Sequence, residues 1–170
     1  MRILGLDMGR SSVKVVSDDQ YEDTFPSVIG EYRQLKSERT LGPKDIILHY
    51  NGQSWFGGTL AALESEFPIQ DSRATKIHER TKLLAIMAMH RAVHDGDECM
   101  VVTGEPISDH TPDNKLRLRN LIVGTGEYVA TINGIRKSWF VRRCEVAAEG
   151  AVAAWGIEQT TPLSSHHRRW

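Results

Sequence analysis

The sequence has no excess of one charge and no long apolar run, and each absence excludes a class of protein. Its 170 residues carry 21 basic and 22 acidic side chains, which give a formal net charge of −1. This balance argues against a broad basic surface for nucleic acid or an anionic membrane. No apolar run approaches bilayer length, and Met1 and Arg2 lead directly into a predicted strand rather than a leader peptide. We therefore expect a cytoplasmic protein with no direct binding to nucleic acid and no membrane contact.

Cysteine is scarce, and the two cysteines form no metal or redox motif. Cys99 and Cys144 each lie in an apolar stretch and neither belongs to a CxxC pair, so we expect buried, reduced thiols. His90 and His94 are spaced to share a helix face, but no carboxylate lies between them in a metalloprotease pattern. We expect both histidines to be solvated helix residues.

The start of the chain has the pattern of a β-hairpin around a short polar turn. An apolar run over residues 3–6 ends in an acidic residue, and a second alternating run over residues 13–16 follows the turn. Turn N–H groups form a concave anion site, serine hydroxyls donate hydrogen bonds, and a lysine adds a point charge. The hairpin therefore predicts a phosphate site, although an ordinary turn with polar surface residues fits the same pattern. The candidate binding residues are Asp7, Gly9, Arg10, Ser11, Ser12 and Lys14, with Asp7 facing a metal-bound water.

Patterns typical of β-strands follow the first hairpin at several places in the sequence. Residues 24–30 look like a strand, and because Pro26 cannot donate to a ladder, this strand lies at an edge or is bulged. Two Asn-Gly dipeptides, each between two alternating runs, predict hairpins with tight primed turns. The paired runs are residues 45–50 with 53–56 and residues 127–132 with 135–141. The first of these hairpins belongs to an excursion over about residues 31–58 that is set into the domain.

Helical patterns occur four times, over residues 59–67, 77–94, 115–121 and 147–156. The second is the strongest, and its nearly continuous apolar run over residues 83–89 indicates a helix buried on most sides. Thr111 and Pro112 supply an N-cap and a first helical residue for the third. Between these helices, the apolar run over residues 98–104 is typical of an interior strand covered on both faces.

The order of these elements resembles the first domain of the actin-like ATPase superfamily, in particular the ParM-type plasmid-segregation actins and their archaeal and phage relatives. The likeness is carried by residues 6–14, 25–30, 55–61 and 101–107, the last leading on to residues 129–134 and 148–151. It implies an α/β fold with a ribonuclease-H-like, mixed five-stranded sheet, flanking helices and a small β-hairpin subdomain. It also places residues 1–156 in this first domain and leaves residues 157–170 as a mobile tail.

The resemblance also implies a chemistry. Members of the superfamily bind ATP with Mg²⁺ in a cleft between two domains, hold its phosphates with the first hairpin, and associate with themselves into cytoskeletal filaments that segregate DNA. By position, Glu149 corresponds to the residue that orients the attacking water, although a helix dipole also favours an acidic residue in a first turn. Arg10 departs from the Ser, Thr or Gly that is usual in this family, but a cation beside phosphates is electrostatically tolerable.

Superfamily members have a second domain with further phosphate and adenosine contacts, and nothing in residues 157–170 resembles it. We therefore expect this chain alone to bind ATP weakly or not at all, and not to hydrolyse it. Two other functions stay open. One is a non-enzymatic module that caps or regulates actin-like filaments. The other is half of a sugar or acetate kinase relative, and the element at residues 25–28 counts against it.

Overall fold

The N-terminal hairpin lies near one edge of a single mixed sheet of ten strands. The computed structural model describes residues 1–35, 40–66, 68–70 and 77–149. In these residues the strands are β1 (Arg2–Met8), β2 (Ser12–Ser17), β3 (Glu22–Pro26), β4 (Val28–Glu31), β5 (Asp45–Tyr50), β6 (Gln53–Gly57), β7 (Ile69–Gln70), β8 (Asp97–Glu105), β9 (Glu127–Ile132) and β10 (Ile135–Ala148). The helices are α1 (Gly58–Glu64), α2 (Glu79–Ala92) and α3 (Pro112–Val123), and a 3-10 turn spans Ile107–Asp109.

The strands lie side by side in the order β3-β2-β1-β8-β10-β9-β5-β6-β4-β7. Strand β8 pairs in parallel with β1 on one side and β10 on the other, whereas β1 and β2 pair antiparallel. The strands from β3 to β10 in this order are the predicted mixed five-stranded sheet, which is confirmed. The hydrogen-bonded ladder then continues through β9 into the hairpin excursion, because Leu48 of β5 pairs with Ile132 of β9.

Both Asn-Gly hairpins form as predicted. Asn51 and Gly52 have φ angles of 49° and 74°, and Asn133 and Gly134 have φ angles of 50° and 83°. Two successive residues with positive φ are what a type I′ turn requires.

The predicted strand over residues 24–30 is two strands, because Pro26 ends β3 and the chain changes direction at Ser27. Strand β3 is an edge strand, which confirms the prediction from Pro26. Strand β4 pairs with β6 and β7 at the far end of the sheet. One short segment therefore contributes to both ends of the sheet.

Helices α2 and α3 pack on the same face of the sheet, around Tyr128 of β9. The Tyr128 hydroxyl donates to the carbonyl of Ile122 on α3 at 2.7 Å. Its ring stacks on Trp139 of β10 at a centroid distance of 5.5 Å, and Trp139 meets His90 of α2 edge-on at 5.9 Å. Residues 83–89 are all buried, which confirms the predicted buried helix. The predicted cap of α3 is also confirmed, since the Thr111 hydroxyl accepts from the Asn114 N–H at 3.2 Å.

The prediction that β8 is covered on both faces was wrong for the described residues. The side chains of Cys99, Val101, Thr103 and Glu105 are buried beneath the helices, whereas the alternate residues on the other face are partly exposed. Both α2 and α3 belong to one core on the first face, so neither covers the second.

His90 is buried, so the prediction of a solvated histidine was wrong for this residue. Its side chain is only 3% exposed, and its Nε2 lies 2.9 Å from the carbonyl oxygen of Ile135. Burial lowers the pKa of His90 to about 4, and the nearby charges of Lys137 and Arg91 act in the same direction. His94 is exposed but lies beyond the end of α2.

The small-residue segment begins as a strand. Ala147 and Ala148 are the last residues of β10, and Glu149 follows in a turn, so the predicted helix was wrong at this start. The parallel ladder explains the difference, because both alanines pair with the end of β8. The rest of that helix, the predicted loop at residues 71–76 and the predicted tail at residues 157–170 lie outside the described residues.

Cys99 and Cys144 are buried free thiols, as predicted, and burial raises the pKa of each to about 12. Across the part of the chain that the structure describes, no helix combines the length and apolar character needed to cross a membrane.

Candidate functional site

An open cleft of about 490 Å³ lies on the sheet face opposite α2, at the ends of β1, β2, β8 and β10. Three of the predicted site residues line it, namely Asp7, Lys14 and Glu149. Its floor is made of small and apolar residues, namely Gly5, Val16, Val102, Gly104 and Ala148. The cleft therefore combines an apolar floor with two acidic groups and one basic group.

Asp7 and Lys14 are direct cross-strand partners in the first hairpin. Both side chains are exposed, on the face opposite the buried Leu6 and Val13. Neither forms an ion pair within 4.0 Å with another residue in the described ranges. The ammonium and the carboxylate are therefore both available to a ligand in the cleft.

The turn of this hairpin consists of Gly9, Arg10, Ser11 and Ser12, between the paired residues Met8 and Val13. These residues follow Asp7 and precede Lys14, but they do not line the cleft. A Cβ at position 9 would lie 2.8 Å from the carbonyl oxygen of Ser12, so only glycine fits without a shift of the backbone. The N–H groups of Arg10 and Ser11 donate to no acceptor in the described part of the chain. The turn thus offers unpaired backbone donors, as a phosphate site requires.

Ser27 supports this turn from the junction of β3 and β4, and the sequence reasoning did not assign it a role. Its hydroxyl donates to the Gly9 carbonyl at 2.6 Å, and its N–H donates to the Ser11 carbonyl at 3.0 Å. Arg80 of α2 donates to the Ser27 carbonyl at 2.8 Å. The sequence feature that could have indicated this role is Pro26, because it ends β3 and the next residue, Ser27, can then turn toward the hairpin.

Glu149 reaches the cleft because β10 extends to the end of β8. Its N–H donates to the Glu105 carbonyl at 2.7 Å, and its side chain is exposed. A Cβ at position 104 would lie 3.1 Å from the Cγ of Glu149, so the glycine there leaves room for this side chain.

The site suits a phosphate better than a metal ion held by protein ligands alone. No three histidine, cysteine, aspartate or glutamate side chains among the described residues are grouped to hold a metal ion. Mg²⁺ commonly takes one or two carboxylates and completes its shell with water and substrate phosphates. Asp7, as an exposed carboxylate next to the hairpin turn, fits that pattern.

The sequence itself matches the family described as actin like proteins, N terminal domain, over residues 5–151. The chain belongs to this family. The match includes most of the first hairpin, the excursion and Glu149. The resemblance inferred from the motifs is therefore confirmed. No curated protein sequence matches this chain significantly.

Solved actin-like structures share the fold. An archaeal actin homologue, Ta0583, matches with a TM-score of 0.75 and 18% identity, over 94% of this chain and 49% of its own. A ParM from Clostridium botulinum in a 15-stranded filament matches with a TM-score of 0.75 and 18% identity, over 94% of this chain and 51% of its own. An AlfA filament bound to AMPPNP matches with a TM-score of 0.62 and 19% identity, over 87% of this chain and 54% of its own. Ta0583 is also known in complex with ADP. The chain spans about half the length of these solved proteins.

Proposed function

We propose that this chain is the phosphate-binding half of an actin-like ATPase that binds ATP with Mg²⁺ and forms filaments of the DNA-segregation or cytoskeletal type. The observation that carries the proposal is that Asp7, Lys14 and Glu149, distant in sequence, line one cleft beside a turn with unpaired N–H groups. The nucleotide complexes of Ta0583 and AlfA support the ligand, and the filaments of AlfA and the clostridial ParM support self-association.

Each residue has a role that its position favours. The turn N–H groups and the hydroxyls of Ser11 and Ser12 donate to phosphate oxygens, while Arg10 and Lys14 add positive charge. Asp7 would hold a bound Mg²⁺ through a water molecule. Bound Mg²⁺ would neutralise phosphate charge. Glu149 accepts a hydrogen bond from the attacking water and so orients it toward the terminal phosphate.

The residues of the proposed site form one side of a nucleotide-binding cleft. The solved relatives are about twice as long as this chain, and a site between two halves closes on the nucleotide from both. We therefore propose that residues 1–156 form the first domain, and that this domain alone holds ATP weakly and does not hydrolyse it. A cytoplasmic location is part of the proposal, because ATP is available there and the two buried thiols are unpaired.

Titration of the chain with Mg-ATP, followed by amide resonances in NMR spectra, tests the proposal at the expected weak affinity. Because the turn N–H groups contact phosphates, we expect shifts at Arg10, Ser11 and Lys14 with a Kd of about 1 mM or weaker. AMP is the matched control, since it has the adenosine but lacks the outer phosphates, and it should leave the turn unchanged. Unchanged turn resonances with Mg-ATP, or equal shifts with AMP, would rule the phosphate site out. Micromolar affinity would contradict the proposed weak binding by this half alone.

A further inference from the structure

Ser27 directs both of its hydrogen-bond donors at the phosphate turn. The residue is 1% exposed and lies between an edge strand and the strand that starts the excursion. Its hydroxyl contacts the carbonyl of Gly9 and its N–H contacts the carbonyl of Ser11. One buried residue therefore holds two carbonyls of a turn whose Arg10 and Ser11 are exposed.

These two contacts set the direction of two turn N–H groups, those of Arg10 and Ser12. In a trans peptide the C=O and the following N–H point in opposite directions. Holding the Gly9 carbonyl toward Ser27 therefore turns the Arg10 N–H away from Ser27. The same geometry at the Ser11 carbonyl turns the Ser12 N–H away. The hydroxyl contact is the shorter of the two, at 2.6 Å against 3.0 Å.

Ser27 is itself fixed from the helix side. Arg80, in the first turn of α2, donates to the Ser27 carbonyl at 2.8 Å. The peptide group after Ser27 is thereby tied to α2, while the side chain and N–H of Ser27 are tied to the turn. A flip of the Gly9 peptide would break the hydroxyl contact and leave a buried hydroxyl without its acceptor, which is unfavourable.

We propose that Ser27 is a positioning residue for phosphate binding, whose hydroxyl holds the Gly9 carbonyl so that the turn presents its N–H groups to the ligand. This inference rests on the proposed function of the turn. Ser27 itself does not touch the phosphates. Its contribution is to fix the turn before the ligand arrives, which reduces the ordering that binding must provide.

The test compares three variants in the Mg-ATP titration of the 170-residue chain. Ser27→Ala removes the hydroxyl, Ser27→Thr retains it, and Thr24→Val is the matched control. Thr24 lies on β3, before Ser27, and its hydroxyl also donates to a backbone carbonyl, that of Val13 on β2 at 3.1 Å, rather than to a carbonyl of residues 9–12. We expect Ser27→Ala to weaken binding about tenfold, which corresponds to about 1.4 kcal/mol. Ser27→Thr and Thr24→Val should stay within about twofold of the wild type, which is less than the effect of losing one net hydrogen bond at the site.

A second measurement separates positioning from a general loss of stability. Spectra without ligand should show Ser27→Ala shifts at Arg10 and Ser11, with the thermal midpoints of Ser27→Ala and Thr24→Val close to each other. If the wild type responds to Mg-ATP and Ser27→Ala responds equally, or if Thr24→Val weakens binding as much, the positioning role is wrong and the phosphate site stands. If the wild-type turn does not respond at all, the proposed function fails and the positioning role fails with it.

Discussion

Asn133 joins the turn of one hairpin to the first strand of the other through Asp45. Its side-chain amide donates to the Asp45 carbonyl, and its Oδ1 accepts from the N–H of Ile47, each at 2.8 Å. This residue lies in a type I′ turn and at the same time fastens the β9–β10 hairpin to β5. Two long-range hydrogen bonds thus depend on a residue that the turn already requires.

We predict that Asn133→Ala lowers the free energy of unfolding by about 2–3 kcal/mol, because it strains the left-handed turn and removes both hydrogen bonds. Asn51→Ala is the matched control, since Asn51 has a φ of 49° but its side chain makes no hydrogen bond within the described residues. Its cost should be about 1 kcal/mol, from turn strain alone. Urea unfolding measures both, and equal losses would show that the side-chain bonds contribute nothing.

We predict that Lys14→Ala weakens the response to Mg-ATP about tenfold while the thermal midpoint stays the same, because the exposed ammonium has no ion-pair partner among the described residues to lose. Lys44→Ala, at an exposed lysine away from the cleft, is the control and should bind as the wild type does. The difference between wild type and Lys14→Ala should shrink as salt is added. An unchanged affinity in Lys14→Ala would remove this residue from the site.

We predict that Glu149→Gln lowers kcat about 100-fold with little change in KM wherever the domain turns ATP over in a complete protein, because the amide no longer orients and accepts from water as a carboxylate does. Steady-state phosphate release measures this. Glu127→Gln, at an exposed glutamate on β9, is the control and should leave kcat unchanged. A large rise in KM at unchanged kcat would instead assign Glu149 to nucleotide binding.

We predict that the protein loses stability as the pH falls from about 6.5 to about 4, with His90 contributing up to about 3 kcal/mol. The pKa of His90 is about 4 in the folded protein and about 6.5 when unfolded, so the unfolded state binds the extra proton first. The contribution is fully present above pH 6.5 and is lost as the pH falls. Urea unfolding of wild type and His90→Gln at both pH values measures it. His94→Gln, at an exposed histidine, should keep the wild-type dependence, and the same dependence in His90→Gln would contradict the assignment.

Features encoded by adjacent residues could be predicted from the sequence. The two Asn-Gly turns, the Thr111 cap and the buried run of α2 each depend on a local pattern that one backbone conformation satisfies. The burial of His90 depends instead on Trp139 and Ile135, which are distant in sequence. The extension of β10 through Ala148 likewise depends on pairing with β8, which overrides a small-residue pattern that favours a helix.

Some residues of the candidate site could likewise be predicted from the sequence, and others could not. The hairpin pattern indicated Asp7 and Lys14, the family resemblance indicated Glu149, and the structure brings these three to one cleft. Gly9, Arg10, Ser11 and Ser12 form the neighbouring turn rather than the cleft wall. Ser27 could not be assigned from its surroundings in the sequence, because its role depends on the change of direction after Pro26 and on Arg80 of α2.

The pairing of β5 with β9 has a mechanical consequence for the excursion. Because one continuous ladder runs from the edge strand β3 to β7, backbone hydrogen bonds join the excursion to the rest of the sheet. Moving the excursion independently of the rest of the sheet would require breaking the backbone pairing between β5 and β9. In the described part of the chain, the excursion and the N-terminal hairpin therefore belong to one hydrogen-bonded sheet.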